Sequence, residues 1–421
     1  MIARFCLYGF LKNQRYFEPF LVLALMERGH GLFAIGLLIA IRDITVNIVE
    51  VPSGAMADGL GRRRTMIASL LAYMVSFVLF SVAGSFALLA VAMMCFAVGD
   101  AFRSGTHKTM IFTWLRLQDR LDERTKVYGF TRSWSKLGSA LSAAIAMIIV
   151  IMSADYASVF LWCLVPYAIG VINLATYPAE IDPPSEHRQR IGEVFSNMKA
   201  AFVLTLRSRP LRRLSAESTS YEGMFDAGKE FLQPLVQAFA LGLFATQVTS
   251  SEAGDVALIM GPIAIILFIA SAWASRLSHR LVARCGGEAA ASWCLWVLTL
   301  LIYAMMLTGA VLASAVTMIV AFILLYLAQN LWRPILIARF DDHAPEEQAA
   351  TVLSIESQAK RLGTAVFAPV LGYLIEYTGT AALPWPVAAG GCAIALIWAL
   401  FGRPRRDHQA SALPTMGSSA T

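Results

Sequence analysis

The chain has 421 residues, 57% hydrophobic and 15% charged, with a formal net charge of +6 and a mean hydropathy of +0.63. A soluble chain of this length would divide into two or three domains; so apolar a composition excludes that class and points to the bilayer. The positive balance by itself admits a nucleic-acid binder, and the placement of the basic residues excludes it.

Crossing about 30 Å of hydrocarbon takes roughly 20 apolar residues in a helix. Twelve runs meet that need, near 5–27, 32–56, 65–84, 86–106, 126–153, 156–177, 212–241, 255–275, 289–310, 313–338, 348–375 and 384–401. With the N-terminus inside, one side of the membrane collects Arg4, Arg62 to Arg64, Arg116, Arg120, Arg124, Lys126, the linker arginines, Arg276, Arg280, Arg284 and Arg339, and the other side holds Arg28. That asymmetry predicts both termini in the cytoplasm and a multi-pass protein of the cell (plasma or inner) membrane, with no cleavable leader. The six cysteines show no paired spacing and read as small apolar side chains rather than disulfides or metal ligands.

Between the second and third runs stands Gly54-Ala55-Met56-Ala57-Asp58-Gly59-Leu60-Gly61-Arg62-Arg63-Arg64. Glycines permit a sharp bend, an Asp is suited to a helix N-terminus, and three arginines hold the turn out of the hydrocarbon. Here the chain resembles the major facilitator superfamily, whose loop between helices 2 and 3 carries Gly, Asp, Gly and a basic run at this spacing. Gly54, Asp58, Gly61 and Arg62 to Arg64 match, and Gly59 departs where the family has a basic residue.

Residues 178–211 turn polar and basic, with Asp182-Pro183-Pro184 breaking any helix. Residues 191–206 read as an amphipathic helix lying on the inner membrane surface. A weak repeat divides the chain around this linker: Phe102-Arg103 against Trp332-Arg333, and Lys136-Leu137-Gly138-Ser139 against Arg361-Leu362-Gly363-Thr364. Asp122-Glu123-Arg124 and Glu346-Glu347-Gln348 precede the latter pair, and the loop 275–287 reads as a decayed copy of the opening motif. The predicted fold is therefore an all-α integral membrane protein of twelve transmembrane helices in two six-helix bundles, residues 1–177 and 212–401, joined by a linker at 178–211 and followed by a disordered tail at 402–421.

Ten basic residues fall inside or at the margins of helices: Lys12, Arg15, Arg42, Arg103, Arg132, Lys136, Lys229, Arg333, Lys360 and Arg361. Glu18, Asp43, Glu50, Asp100, Glu217, Glu222, Asp226, Glu230 and Glu356 accompany them. A charge at membrane depth costs a few kcal/mol unless paired or wetted, so the chain must enclose a polar cavity. Lys12, Arg15 and Glu18 sit at i, i+3 steps beside Tyr16, with Pro19 able to kink the first helix; Glu222, Asp226 and Glu230 sit at i, i+4 steps beside Lys229. The resemblance implies that helices 1, 4, 7 and 10 line the cavity, which places Lys12, Arg15, Tyr16, Glu18, Asp100, Glu222, Asp226, Lys229, Glu230 and Arg333 along a substrate path. The alternative reading of each charge is a self-neutralising structural pair. Glu50 and Arg103, near the Asp58 turn, are expected to form a gate-side salt bridge, and Lys136 and Arg361 to serve the same gate with Gly54, Asp58, Gly61, Arg62 and Arg63. The Asp58 turn is expected to latch against the start of helix 11.

All six histidines fall in predicted loops or the tail, which leaves a carboxylate (Asp100, Glu222 or Asp226) to carry any coupled proton. Tyr16, Phe17, Tyr221 and Phe225 are expected to supply stacking surface to a solute. Gly129, Gly138 and Ser142 faintly resemble the antiporter motif of the superfamily's drug exporters, but Ala143 stands where that motif has Pro, so close helix packing is the favoured reading. No P-loop, dinucleotide fingerprint, metal-ligand spacing or nucleophile elbow occurs, so an enzyme is not expected, nor a cofactor beyond an ion gradient. The resemblance implies secondary transport by alternating access. The basic first-half and acidic second-half cavity sides point to a small polar or charged organic solute, with proton coupling through a carboxylate. The expected partners are lipid and solute, not nucleic acid, with the protein a monomer. An efflux carrier for amphipathic compounds is the nearest alternative, and a non-transporting sensor or scaffold the alternative from another class.

Overall fold

The computed structural model describes residues 1–103, 106–182, 191–244, 248–344, 349–378 and 384–402; within helices, the side chains of 51, 54–60, 125, 179, 191–195, 197, 349 and 350 also fall outside the described set. These residues are helical almost throughout, in the order α1 (Ile2–Leu11), α2 (Leu21–Glu27), α3 (Leu32–Leu60), α4 (Arg62–Val82), α5 (Phe86–Arg103), α6 (Thr106–Leu117), α7 (Arg124–Ser153), α8 (Ser158–Trp162), α9 (Leu164–Ala175) and α10 (Ile191–Arg207). The second part continues with α11 (Arg209–Gly228), α12 (Leu232–Leu243), α13 (Glu252–Cys285), α14 (Glu288–Val311), α15 (Ala315–Asp341), α16 (Ala349–Thr378) and α17 (Trp385–Phe401). Among the described residues, eight stretches are long and apolar enough to cross a membrane. The other four predicted runs are present as the interrupted pairs α1–α2 and α11–α12, the charged α16, and the short α17.

The first run breaks over residues 12–20, where a continuous helix is expected. Pro19 is the physical reason: it donates no N–H and disfavours helical φ/ψ at Glu18. The freed backbone groups find side chains instead, as unpaired ones must in a dry interior. The Tyr167 hydroxyl donates to Lys12 O at 3.1 Å, and the Gln233 amide donates to Glu18 O at 3.1 Å while accepting from Val22 N at 2.8 Å. Because the helix stops, Lys12, Arg15 and Glu18 do not share the face that i, i+3 spacing predicts. The seventh run is tightened by a 3-10 turn at Lys229–Phe231, which leaves Glu222 and Asp226 in register on α11 and moves Glu230 off that row.

The opening motif is not the extended turn that its glycines suggest. Helix α3 runs through Gly54 and Asp58 to Leu60, and one residue, Gly61 at φ +95°, makes the reversal into α4. Likewise α13 continues through 275–285, and Gly286 (φ +78°) and Gly287 (φ +136°) turn the chain into α14. Helical propensity through Ala-rich sequence outweighs internal glycine until a positive φ is required. The linker helix α10 packs against α3, α11 and α16, burying Ala201 and Thr205 and leaving Phe202 and Leu206 exposed on its other face.

Glycines set the approach of the two parts. A Cβ on Gly138 would lie 2.7 Å from Phe10 O, and one on Gly223 3.2 Å from the Gly363 backbone, so α1 crosses α7 as α11 crosses α16. Close packing is thus the work of Gly138 and Gly363, as their matching places predict. Between the parts, a Cβ on Gly36 would meet Ala368 O at 2.5 Å and one on Gly261 the Met147 sulfur at 2.6 Å. These two seams, α3 with α16 and α7 with α13, close the bundle at the end away from Arg62 to Arg64.

Candidate functional site: a charged cavity between two halves

Two polar cavities open on the break in the first run. A central one of about 280 Å³ is bounded by Glu18 and Lys136 from the first half and by Asp226, Lys229, Glu230, Gln233, Gln329 and Asn330 from the second, with Phe225, Phe268 and Tyr326 as apolar walls. A second, of about 290 Å³, lies within the first half between α1, α6 and α7, with Lys12, Arg132 and Lys136 on its walls. Lys136 lines both. Breaking the helix is what aims Lys12 into one cavity and Glu18 into the other.

Most of the remaining embedded charges are wired to one another. In the first half, Asp100 accepts from Arg15 at 3.2 Å, from Arg103 at 3.0 Å and from the Tyr73 hydroxyl, and the Arg15 guanidinium lies 5.4 Å from the Phe96 ring centre. In the second, Glu222 is fully buried and holds Lys360 at 2.7 Å and Arg333 at 3.0 Å. Arg333 also grips fully buried Glu356 with both terminal nitrogens, at 2.6 and 3.1 Å, and Ser218 donates to the same carboxylate. Lys360 reaches on to Asp226 at 3.7 Å, and Asp226 holds Lys229 at 2.8 Å. Nearer the basic end, Glu217 accepts from Arg339 at 2.8 Å, Ser292 at 2.8 Å and the Trp296 indole at 3.0 Å. Low polarity strengthens each pair and makes each unpartnered member expensive, which is why cations and anions converge.

This wiring redraws the expected site. The pairing of Glu50 with Arg103 is replaced: Glu50 meets Arg361 across the halves at 2.8 Å, while Arg103 turns to Asp100, three residues away on its own helix. Tyr16 and Phe17 are buried in the first half, Phe17 against Phe77, Phe96 and Phe160, and Tyr221 stacks on Trp332 at 4.2 Å; of the four expected stacking residues, Phe225 borders the central cavity. His107 is helical rather than in a loop and stacks on Tyr8 at 4.1 Å, and His279 lies within α13; His187 and His408 fall outside the described residues.

At the basic end, the side chain of Asp58 falls outside the described residues, and Asp182 occupies the N-terminus of α4: its carboxylate accepts from Arg62 N at 2.6 Å and Arg63 N at 3.2 Å. That satisfies two of the helix's orphan donors at the positive end of its dipole. A Cβ on Gly61 would lie 2.8 Å from Asp182 Oδ2, so the glycine is needed for space as well as for φ. The Arg63 side chain donates to Tyr177 O at 2.9 Å, which ties the turn to the end of the first half. Sequence reasoning counted Lys360, Glu356 and Arg132 among the embedded charges without placing them in the site, and it left Gln233 out; the i, i+4 spacing of Glu356 and Lys360 on α16 was the available signal.

The sequence model of the Major Facilitator Superfamily matches residues 1–355. The chain belongs to that superfamily. A curated relative, the uncharacterized MFS-type transporter YxaM of Bacillus subtilis (strain 168), is 31% identical over 93 residues, an alignment spanning 22% of this chain and 23% of the relative. Among solved superfamily-like structures, a mutant form of the nucleoside transporter NupG superposes with a TM-score of 0.74 at 13% identity, over 95% of this chain and 98% of that one. A POT family transporter in complex with 5-aminolevulinic acid gives 0.66 at 13% identity over 95% and 96%, and a D-xylose-proton symporter 0.61 at 14% over 94% and 95%. Identities this low show a shared helical fold and nothing finer; membership of the superfamily rests on the sequence model.

Proposed function

We propose that this superfamily member carries a small polar or charged organic solute across the cell's plasma or inner membrane, as a monomer with both termini cytoplasmic, by alternating access through the central cavity. The observation that carries the reading is that cavity itself. It lies at the junction of the two halves, it is lined from both, and its Glu18 and Glu230 make no ion pair among the described residues. Closure at one end by the α3–α16 and α7–α13 seams and by the Gln233 bridge supports a conformation presented to the basic, cytoplasmic end.

Proton coupling enters through Asp226. Lys360 stands between Glu222 and Asp226, one turn apart on α11, and Asp226 also pairs with Lys229 at 2.8 Å, so a proton arriving at Asp226 from the cavity releases Lys229 and leaves the Lys360 ammonium to Glu222. The two-carboxylate, one-lysine arrangement gives the second half two discrete electrostatic states, which is what coupling requires. Glu222 holds two cations at short range and Asp100 two arginines, so protonating either must break an ion pair that the cavity does not reach.

Reconstituted vesicles test this directly. Under an imposed pH gradient, polar solutes drawn from nucleosides, short peptides, pentoses and organic acids are screened for accumulation. One class accumulates, a protonophore abolishes the gain, and Asp226→Asn leaves a rate that no longer follows pH. A rate independent of pH in the native chain, with Asp226→Asn fully active, removes the coupling scheme. A second reading has one observation of its own: an apolar groove of about 500 Å³ between α13 and α15, lined by Ile266, Trp273, Leu277, Leu327 and Leu331, lies on the two helices that also wall the central cavity. Export of amphipathic compounds entering from the lipid would use it, and preferential uptake of apolar dyes over polar solutes would favour that reading.

A further inference from the structure

Sorting the embedded charges into those already neutralised and those left open isolates one group. In the first half, Lys12, Arg132 and Lys136 make no ion pair among the described residues, yet all three line the same cavity of about 290 Å³. Of the carboxylates of that half, Asp100 already serves two arginines, and Glu18 lines the central cavity with Lys136 rather than this pocket. Three cations around one half-open pocket repel one another, Arg132 and Lys136 being exposed there; an anion in the pocket relieves that repulsion.

The wall is built for more than charge. Helix α7 presents two adjacent rows at four-residue steps, Tyr128, Arg132, Lys136 and Thr131, Ser135, Ser139, so hydroxyls stand beside the cations on one face. Each hydroxyl donates to a carbonyl of its own helix, Thr131 to Tyr128 O at 2.9 Å, Ser135 to Thr131 O at 3.4 Å and Ser139 to Ser135 O at 3.3 Å; the two long bonds are readily exchanged for a better acceptor. Opposite, His107 is fixed by stacking on Tyr8 at 4.1 Å and by an edge contact with Phe5 at 5.5 Å, and its Nε2 is buried without a hydrogen-bond partner. In the tautomer that carries its proton on Nε2, His107 is a donor without a partner, and a ligand oxygen on this wall would accept from it. Lys12 is held 5.7 Å from the Tyr8 ring centre, so its position is set by the same aromatic group.

We infer that this pocket is an oxyanion subsite, taking a carboxylate or phosphate group on Lys12, Arg132 and Lys136, and that the transported solute is an organic anion or zwitterion bearing such a group. The inference rests on the proposed transport function for its second clause. Lys136, shared by both cavities, leads from the subsite into the central cavity, where Glu18 and Glu230 face the remainder of the molecule. The charge-bearing end and the body of the solute therefore occupy different helices' territory, the first within one half and the second between the halves.

The test uses the full-length protein in detergent at neutral pH, with succinate and inorganic phosphate as probes against sodium chloride of equal ionic strength, choline chloride and mannitol. Succinate, phosphate or both raise the melting temperature saturably while the controls do not, and which of the two acts distinguishes a carboxylate from a phosphate. Lys12→Gln with Arg132→Gln weakens that saturation at least tenfold, Lys12→Arg with Arg132→Lys retains it, and Arg120→Gln, an exposed cation paired with Glu123 away from the pocket, leaves it unchanged. The charge-conserving pair guards against a loss caused by misfolding. Equal response to all salts, or saturation unaltered by removing both cations, overturns the subsite. Vesicle assays separate the two claims: binding of either anion with no flux of it or of any solute in the transport panel leaves the subsite and removes transport, whereas flux of a neutral or cationic solute that neither anion inhibits leaves transport and removes the subsite.

Discussion

The two halves hold comparable stocks of embedded charge and wire them differently. The first half sets one carboxylate, Asp100, against two arginines and leaves three further cations facing a cavity. The second half threads Glu356, Arg333, Glu222, Lys360, Asp226 and Lys229 into one alternating chain, with the carboxylates of Glu222 and Glu356 fully buried. The lesson is that matching repeat positions do not imply matching roles. Arg103 and Arg333 occupy equivalent places, but Arg103 shares one acid with a neighbour, whereas Arg333 joins two acids from two helices.

The contrast predicts unequal sensitivity. Arg333→Leu strips a countercharge from two fully buried carboxylates and is expected to destabilise the folded protein by about 3–5 kcal/mol, read as a large fall in melting temperature in detergent. Arg15→Leu leaves Asp100 with Arg103 and Tyr73 and is expected to lower stability by less, about 1–3 kcal/mol. Equal losses from the two substitutions would erase the distinction between a saturated and an overdetermined cluster.

Two smaller changes probe how the halves are held. Gln233→Leu removes both hydrogen bonds to the broken first run and strands Val22 N–H and Glu18 C=O, a penalty of about 1–3 kcal/mol on this conformation. Labelling of a cysteine introduced beside the seam, at Phe33 for example, should then speed up, and unchanged labelling would show that the seam glycines alone hold that end. Asp182→Ala removes the cap on α4 and is expected to lower stability by about 1 kcal/mol, with little effect on the cavities. A stability loss comparable to that of Arg333→Leu would mean that the linker end is part of the core.

The helical runs, the charged residues set among them, and the close crossing at Gly138 were legible in the linear order. Hydropathy runs, linker composition and repeat spacing depend on local chemistry, and the bilayer's demand for satisfied backbone makes them stringent. Much of the site was not. Whether Lys12, Arg15 and Glu18 share a face depended on a nine-residue break that one proline and two distant side chains, Tyr167 and Gln233, together stabilise. Which cation found which anion was likewise beyond sequence spacing, because Coulomb attraction in a dry interior selects partners by distance across helices: Glu50 with Arg361, Glu222 with Lys360 and Arg333, and Asp182 with the turn at Gly61. Periodicity along the chain determined that a polar interior exists. Only the packing of one helix on another decided which of its charges are neutralised there and which remain open to a solute.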